Sequence, residues 1–177
     1  MEYWKDQPGI GVNIVDKLLN YTILSPGSVI EWALGKEGGR LSEAHVFEMV
    51  GATVGKVTGR VRQVVRATKV PGLFEEQKAL VEATAKRERE SMKELFEGME
   101  DMLTGWASGS KDQMVESGDM ADGDAMVKQW GERWLRVFRR KFAVEEAWAG
   151  EVEKEVAPVV AGNGEVKMTD SLDEGIE

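Results

Sequence analysis

The 177-residue sequence has no cysteine, which excludes a disulfide framework, a thiolate metal site and a cysteine nucleophile. It has one histidine, His45, so a nucleophile that needs an imidazole base has only that residue to draw on. The histidine lies in Ser42-Glu43-Ala44-His45-Val46-Phe47, which reads as a helix start, where an imidazole is ordinarily a partly exposed surface group. A His-based zinc site would want a second histidine at helical spacing, and there is none. Long apolar runs are lacking too. The longest stretch without Asp, Glu, Lys or Arg is 13 residues, Leu18 to Ile30, and Pro26 interrupts it, so it is too short to span a bilayer. Met1 is followed by Glu2-Tyr3-Trp4-Lys5-Asp6, with no apolar core behind a basic start, so neither secretion nor mitochondrial import is indicated and a cytosolic or nuclear home is expected.

Two motif-like stretches fail on spacing. Gly118-Asp119-Met120-Ala121-Asp122-Gly123-Asp124 clusters carboxylates around a turn, as a calcium loop does. Its acids fall at 119, 122 and 124 rather than at every second position with a closing glutamate. Gly51-Ala52-Thr53-Val54-Gly55-Lys56-Val57 resembles a phosphate loop but has one residue too few between its glycines. It also places Val57 where a hydroxyl must bind magnesium, and it has no strand before it. An enzyme using the 112–124 carboxylates with a metal would lack both ligand spacing and supporting contacts.

What the chain does have is helical periodicity. Hydrophobic residues make up 42% and charged residues 31%, enough apolar material for a real core. Val12, Ile14, Val15, Leu18, Leu19 and Ile23 recur mostly at three and four and predict a first helix over 12–24. Ser25-Pro26 supplies a cap and a first-turn proline for a short second helix, ending at Gly35. After Gly38-Gly39, with Ser42 as a cap, Val46, Phe47, Val50, Val54, Val57, Val61, Val64 and Val65 predict a third helix of about seven turns to Thr68. Pro71-Gly72 marks a turn. Leu73, Phe74, Leu80, Val81, Met92, Leu95, Phe96, Met99, Met102, Leu103 and Trp106 then predict a fourth helix, antiparallel to the third. Its stretch Glu82 to Glu94 is almost all charge and is expected to project into solvent, with the facing end of helix three.

Residues 107–125 lack apolar periodicity and predict a mobile acidic loop. Met126, Trp130, Trp134, Val137, Phe138, Phe142, Trp148 and Val152 predict a fifth helix with an aromatic face, stopped by Pro158 and Gly162. The acidic stretch 157–177 is expected to be a disordered tail, and 1–11 an N-terminal extension. The architecture predicted is all-α: antiparallel helical hairpins stacked as an α-solenoid-like repeat over 12–156, with no clean internal repeat. Gly51, Gly55 and Gly59, four apart on helix three, each cost up to about 1 kcal/mol relative to alanine, which close packing by another helix would offset.

Net charge is −9, yet it is uneven. Residues 56–69 contain five bases and no acid, and 128–141 contain six bases against Glu132. Residues 145–177 carry ten acids and two lysines. Arg60, Arg66, Arg136, Arg139 and Arg140 are therefore candidate contacts to phosphate or to an acidic partner.

The segment Asn13-Ile14-Val15-Asp16-Lys17-Leu18-Leu19-Asn20-Tyr21-Thr22-Ile23-Leu24-Ser25-Pro26, continuing Gly27-Ser28-Val29-Ile30-Glu31-Trp32-Ala33-Leu34, closely resembles the C-terminal helical-repeat domain of the large-subunit family of the nuclear cap-binding complex, in its fungal form. An Asp-Lys pair, two apolar residues, a short turn and a helix carrying a tryptophan are followed by a long hairpin and a final aromatic helix, in the family's order. The resemblance is specific over 12–34 and agrees in layout over 41–106 and 126–156. It implies a non-catalytic scaffold without cofactor or metal. Such a scaffold holds a small RNA-recognition-motif subunit that grips the cap, so its contact with capped RNA is indirect. It recruits mRNA processing and export factors and resides in the nucleus, shuttling to the cytoplasm. The family protein is several times longer, so the chain corresponds to the end of its last domain, and an exposed apolar edge is expected on the upstream side of the first helix. An alternative is an autonomous helical adaptor that binds a protein through Trp130, Trp134, Phe138 and Trp148.

Overall fold

The structure is a computed structural model that describes residues 6–35, 38–109 and 121–156, with side chains of the last helix described from 125 to 152. Among the described residues five α-helices follow one another, α1 Pro8–Asn20, α2 Pro26–Leu34, α3 Ala44–Ala67, α4 Glu75–Ser108 and α5 Ala121–Val156, with a 3-10 turn at Gly38–Ser42 before α3. There is no strand among the described residues. The fold is all-α, built from stacked antiparallel hairpins.

Helix ends follow local chemistry. α1 starts at Pro8, earlier than the apolar period at Val12 suggests and inside the expected extension, because a first-turn proline lacks only an N–H that would have no partner there. It stops at Asn20 rather than Leu24. Thr22 N–H bonds Leu19 O at 3.1 Å and Ile23 N–H bonds Leu18 O at 2.9 Å, a closure that puts Thr22 at φ 56°, where glycine is usual. α2 matches expectation: Ser25 Oγ accepts the Ser28 N–H at 3.0 Å, with Pro26 in the first turn. Glu43 rather than Ser42 occupies the cap position of α3 and makes no side-chain cap bond. The turn between α3 and α4 needs Gly72 at φ 85°, and α4 ends on Gly109 at φ 69°.

The long helices pair side by side. Across α3 and α4, Arg60 meets Glu88. Across α4 and α5, Gly131 lies against Trp106 and Ala107, Arg139 meets Glu100, and Arg89 meets Glu146. One index rises as the other falls, so α4 is antiparallel to α5. The core between them takes Val46, Val50, Val54, Val61 and Val65 from α3, Met92, Phe96, Met99 and Leu103 from α4, and Trp134, Leu135 and Phe138 from α5. α2 closes the end of this layer through Ile30, Ala33 and Leu34. Trp106 Nε1 donates to Leu34 O at 2.8 Å and ties the C-terminal ends of α2 and α4 together. α1 forms an outer layer on α3, where Val12, Val29 and Met49 make a second small cluster and Lys56 meets Asp16 at 2.9 Å.

Two expectations fail against this packing. The charged stretch 82–94 of α4 is exposed over most of its residues but does not stand apart from the bundle, because one face of it packs. Ala85 and Met92 are buried, and Glu88 and Arg89 pair with α3 and α5 at 3.0 and 3.8 Å. Charge density reads as solvation in one dimension, whereas long side chains pair across helices and cover apolar stems in three. Gly51, Gly55 and Gly59 are not a helix-packing seam either, since a Cβ added at any of them meets nothing within 4 Å. The close helix crossing is at Gly131 instead. The exposed edge expected on α1 is present, with Ile10 and Ile14 37–38% accessible. The core of the expected mobile loop, 110–120, and the expected disordered tail lie outside the described residues.

Candidate functional site

The aromatic side chains of α5 are placed by its period against α3 and α4. Trp134 is 1% accessible and meets the Phe47 ring edge-on at 5.0 Å, and Phe138 lies 6.0 Å from the same ring. These two are core residues, which corrects the reading of them as a docking face: aromatics at helical spacing fill the widest gaps between helices. The buried indole N–H of Trp134 has no hydrogen-bond partner among the described residues. Trp130 and Trp148 are half-buried at the rim of the core. Arg133 stands 5.1 Å over Trp130, and Arg62 and Arg66 stand 5.4 and 5.8 Å from Trp148.

The candidate arginines separate into two groups. Arg60 is engaged by Glu88 at 3.0 Å and Arg139 by Glu100 at 2.7 Å, so acids of α4 already answer them. Arg66, Arg136 and Arg140 are exposed. Arg66 has the Trp148 ring as its neighbour, whereas Arg136 and Arg140 form no ion pair among the described residues.

Sequence reasoning missed a clamp between α3 and α5. Arg62 Nε and Nη2 donate to the two Glu145 oxygens at 2.7 and 3.0 Å, and Lys141 Nζ reaches Oε1 at 3.2 Å. Glu145 is 3% accessible, so this bidentate pair fixes the rotation of α5 against α3. Its two ends are 83 positions apart, and nothing local marks them as partners.

The catalytic readings find no support in this geometry. His45 Nε2 sits 3.1 Å from Glu43 in a local contact at the start of α3. Gly51–Val57 lies within α3, where the backbone N–H groups serve the helix rather than a phosphate. Asp122 and Asp124 are in the first turn of α5. Among the described residues no group of three His, Asp or Glu side chains is placed to hold a metal ion, and no helix is long and apolar enough to cross a membrane. A cleft of about 390 Å³ lies between the start of α2 and the α3–α4 pair, walled by Pro26, Ile30, Val57, Leu95 and Met102 with Glu94 at its edge. Its polar lining is Ser25, Ser91 and Glu94.

A stack of helical hairpins with charged outer faces is thus what the chain offers, and a family model described as "MIF4G like" matches residues 1–147. The chain belongs to the MIF4G-like family. The matched span of this MIF4G-like domain takes in α1 to α4 and α5 as far as Ala147. The chain is also similar to nuclear cap-binding protein subunit 1 of Schizosaccharomyces pombe, at 36% identity over 63 residues. That stretch is 36% of this chain and 8% of the relative's length. No solved structure matches.

Proposed function

We propose that this MIF4G-like chain is a non-catalytic scaffold segment of a nuclear cap-binding complex. The observation that carries the reading is the 36% identity to nuclear cap-binding protein subunit 1, joined to the MIF4G-like match over most of the chain. Its work is protein–protein contact: it holds a small RNA-recognition-motif subunit that grips capped RNA, and it presents helical surface to mRNA processing and export factors in the nucleus. Arg66, Arg136 and Arg140, exposed on α3 and α5, are its contacts to phosphate or to acidic partners. The adaptor alternative is weakened by the burial of Trp134 and Phe138.

The test is a pull-down of the purified chain against the small cap-binding subunit, with and without capped RNA, at physiological salt because phosphate contacts are salt-sensitive. Retention of the subunit, with capped RNA retained only when the subunit is present, is the expected result. A chain that is helical by circular dichroism yet retains nothing would overturn the reading.

A further inference from the structure

α5 carries a second stripe that its packing does not use. Met126, Val137 and Val144 are 48–54% accessible. At 100° per residue they fall within about 20° of a single line along the helix, about 110° round from the middle of the buried face. Arg133, Arg136 and Arg140 run along one side of that line, the side away from the buried face, and are exposed. Between Met126 and Val144 the only acid is Glu132. An apolar line edged by arginines calls for an apolar occupant edged by carboxylates.

We propose that the chain's own segment 165–177 docks along this outer face of α5. Met168, Leu172 and Ile176 are four apart, so a helical segment would set them on one side. Glu165, Asp170, Asp173, Glu174 and Glu177 against Lys167 make five acids and one base, a net −4. The lengths agree. A helix over 165–177 is about 18 Å long and the stretch from Arg133 to Val144 about 17 Å. From the end of α5 at Val156 the chain must return about 18 Å to reach Val144, and the nine steps to residue 165 span up to about 30 Å. Those steps include Pro158, Gly162, Asn163 and Gly164, the residue types that let a chain reverse. The segment lies beyond the residues matched by the family model, so this contact is an addition to the MIF4G-like domain rather than part of it. Its consequence is regulatory: the tail occupies Arg136 and Arg140 and competes with any acidic partner for the same face. The inference does not depend on the cap-complex reading.

The chain has no cysteine, so a Ser171→Cys variant of the full chain takes one nitroxide label at a defined place. In a sample of isotope-enriched, labelled chain diluted with unenriched, unlabelled chain, amide signals of residues 133–147 should lose most of their intensity while those of α1 keep theirs. The loss should disappear in the Arg136→Glu/Arg140→Glu variant, whose far-UV circular dichroism stays unchanged because both side chains are exposed. It should also weaken at 1 M salt, where the Debye length falls to about 3 Å. Three results would overturn the proposal: no selective loss, loss centred on another helix, or loss that appears only when labelled chains are mixed with separate enriched chains. The last would mean that the face holds a second copy's tail.

Discussion

Replacing Gly51, Gly55 and Gly59 together by alanine should stabilise the protein, although three glycines on one helix face ordinarily suggest a packing seam. All three lie inside α3, and an added Cβ meets nothing within 4 Å at any of them. There is no steric term to set against the helix-propensity gain of about 0.5–1 kcal/mol per site. The triple variant should therefore gain about 1.5–3 kcal/mol. At about 2–4 °C per kcal/mol for a chain of this size, the melting temperature should rise by about 3–12 °C. Gly131→Ala is the control, because the same atom there meets Ala107 N and Trp106 Cβ at 3.0 Å. Pushing α4 from α5 costs about 1–3 kcal/mol, which cancels or outweighs the propensity gain. Urea unfolding followed by circular dichroism, with the slope checked for two-state behaviour, measures both variants against the parent. If the triple variant is neutral or less stable than the parent, the glycine face of α3 is packed in solution and the reasoning from open space fails.

Three further outcomes are expected. Glu145→Ala should cost about 1–3 kcal/mol in urea unfolding. That is below the loss usual for a broken buried pair, because the Arg62 side chain is 39% accessible and can turn to water. The double variant Arg62→Met/Glu145→Leu should recover most of that loss, and recovery of none would show that the pair is a net stabiliser. Thr22→Gly should raise stability by about 0.5–1 kcal/mol by relieving a β-branched residue at φ 56°, measured as a shift in the thermal midpoint. Trp106→Phe should cost about 2–4 kcal/mol, since it leaves the buried Leu34 carbonyl without its 2.8 Å donor and opens a gap. A loss under 1 kcal/mol in chemical unfolding would show that water or a neighbour replaces the indole.

The helices were legible because their signals are local. The three-to-four period of the valines in α3, the Ser25-Pro26 start of α2 and the Pro71-Gly72 turn each involve atoms within a turn or two of chain. Where the pairing of side chains was misread, the deciding partner was remote. Helix ends were misplaced for local reasons: α1 starts at Pro8, before the apolar period begins, and closes at Asn20 through Thr22 and Ile23, and Glu43 rather than Ser42 precedes α3. For the candidate site, the arginines could be picked out by composition. Whether each was answered by an acid could not, because Glu88 and Glu100 reach Arg60 and Arg139 from another helix.

Periodicity and the absence of cysteine and of a second histidine suffice, on their own, for an all-α chain without a thiol nucleophile or a two-histidine metal site, since each is a property of residue type and spacing. Resemblance over 12–34 pointed to the family for the same reason. The folded arrangement settled the rest: that Trp134 and Phe138 face inward, that Glu88 and Arg89 of α4 pair with α3 and α5, that Glu145 is buried against Arg62, and that no other described helix covers the outer stripe of α5. Each of these depends on which helix faces come together between remote stretches of chain, and a helical period names the buried face without naming what covers it.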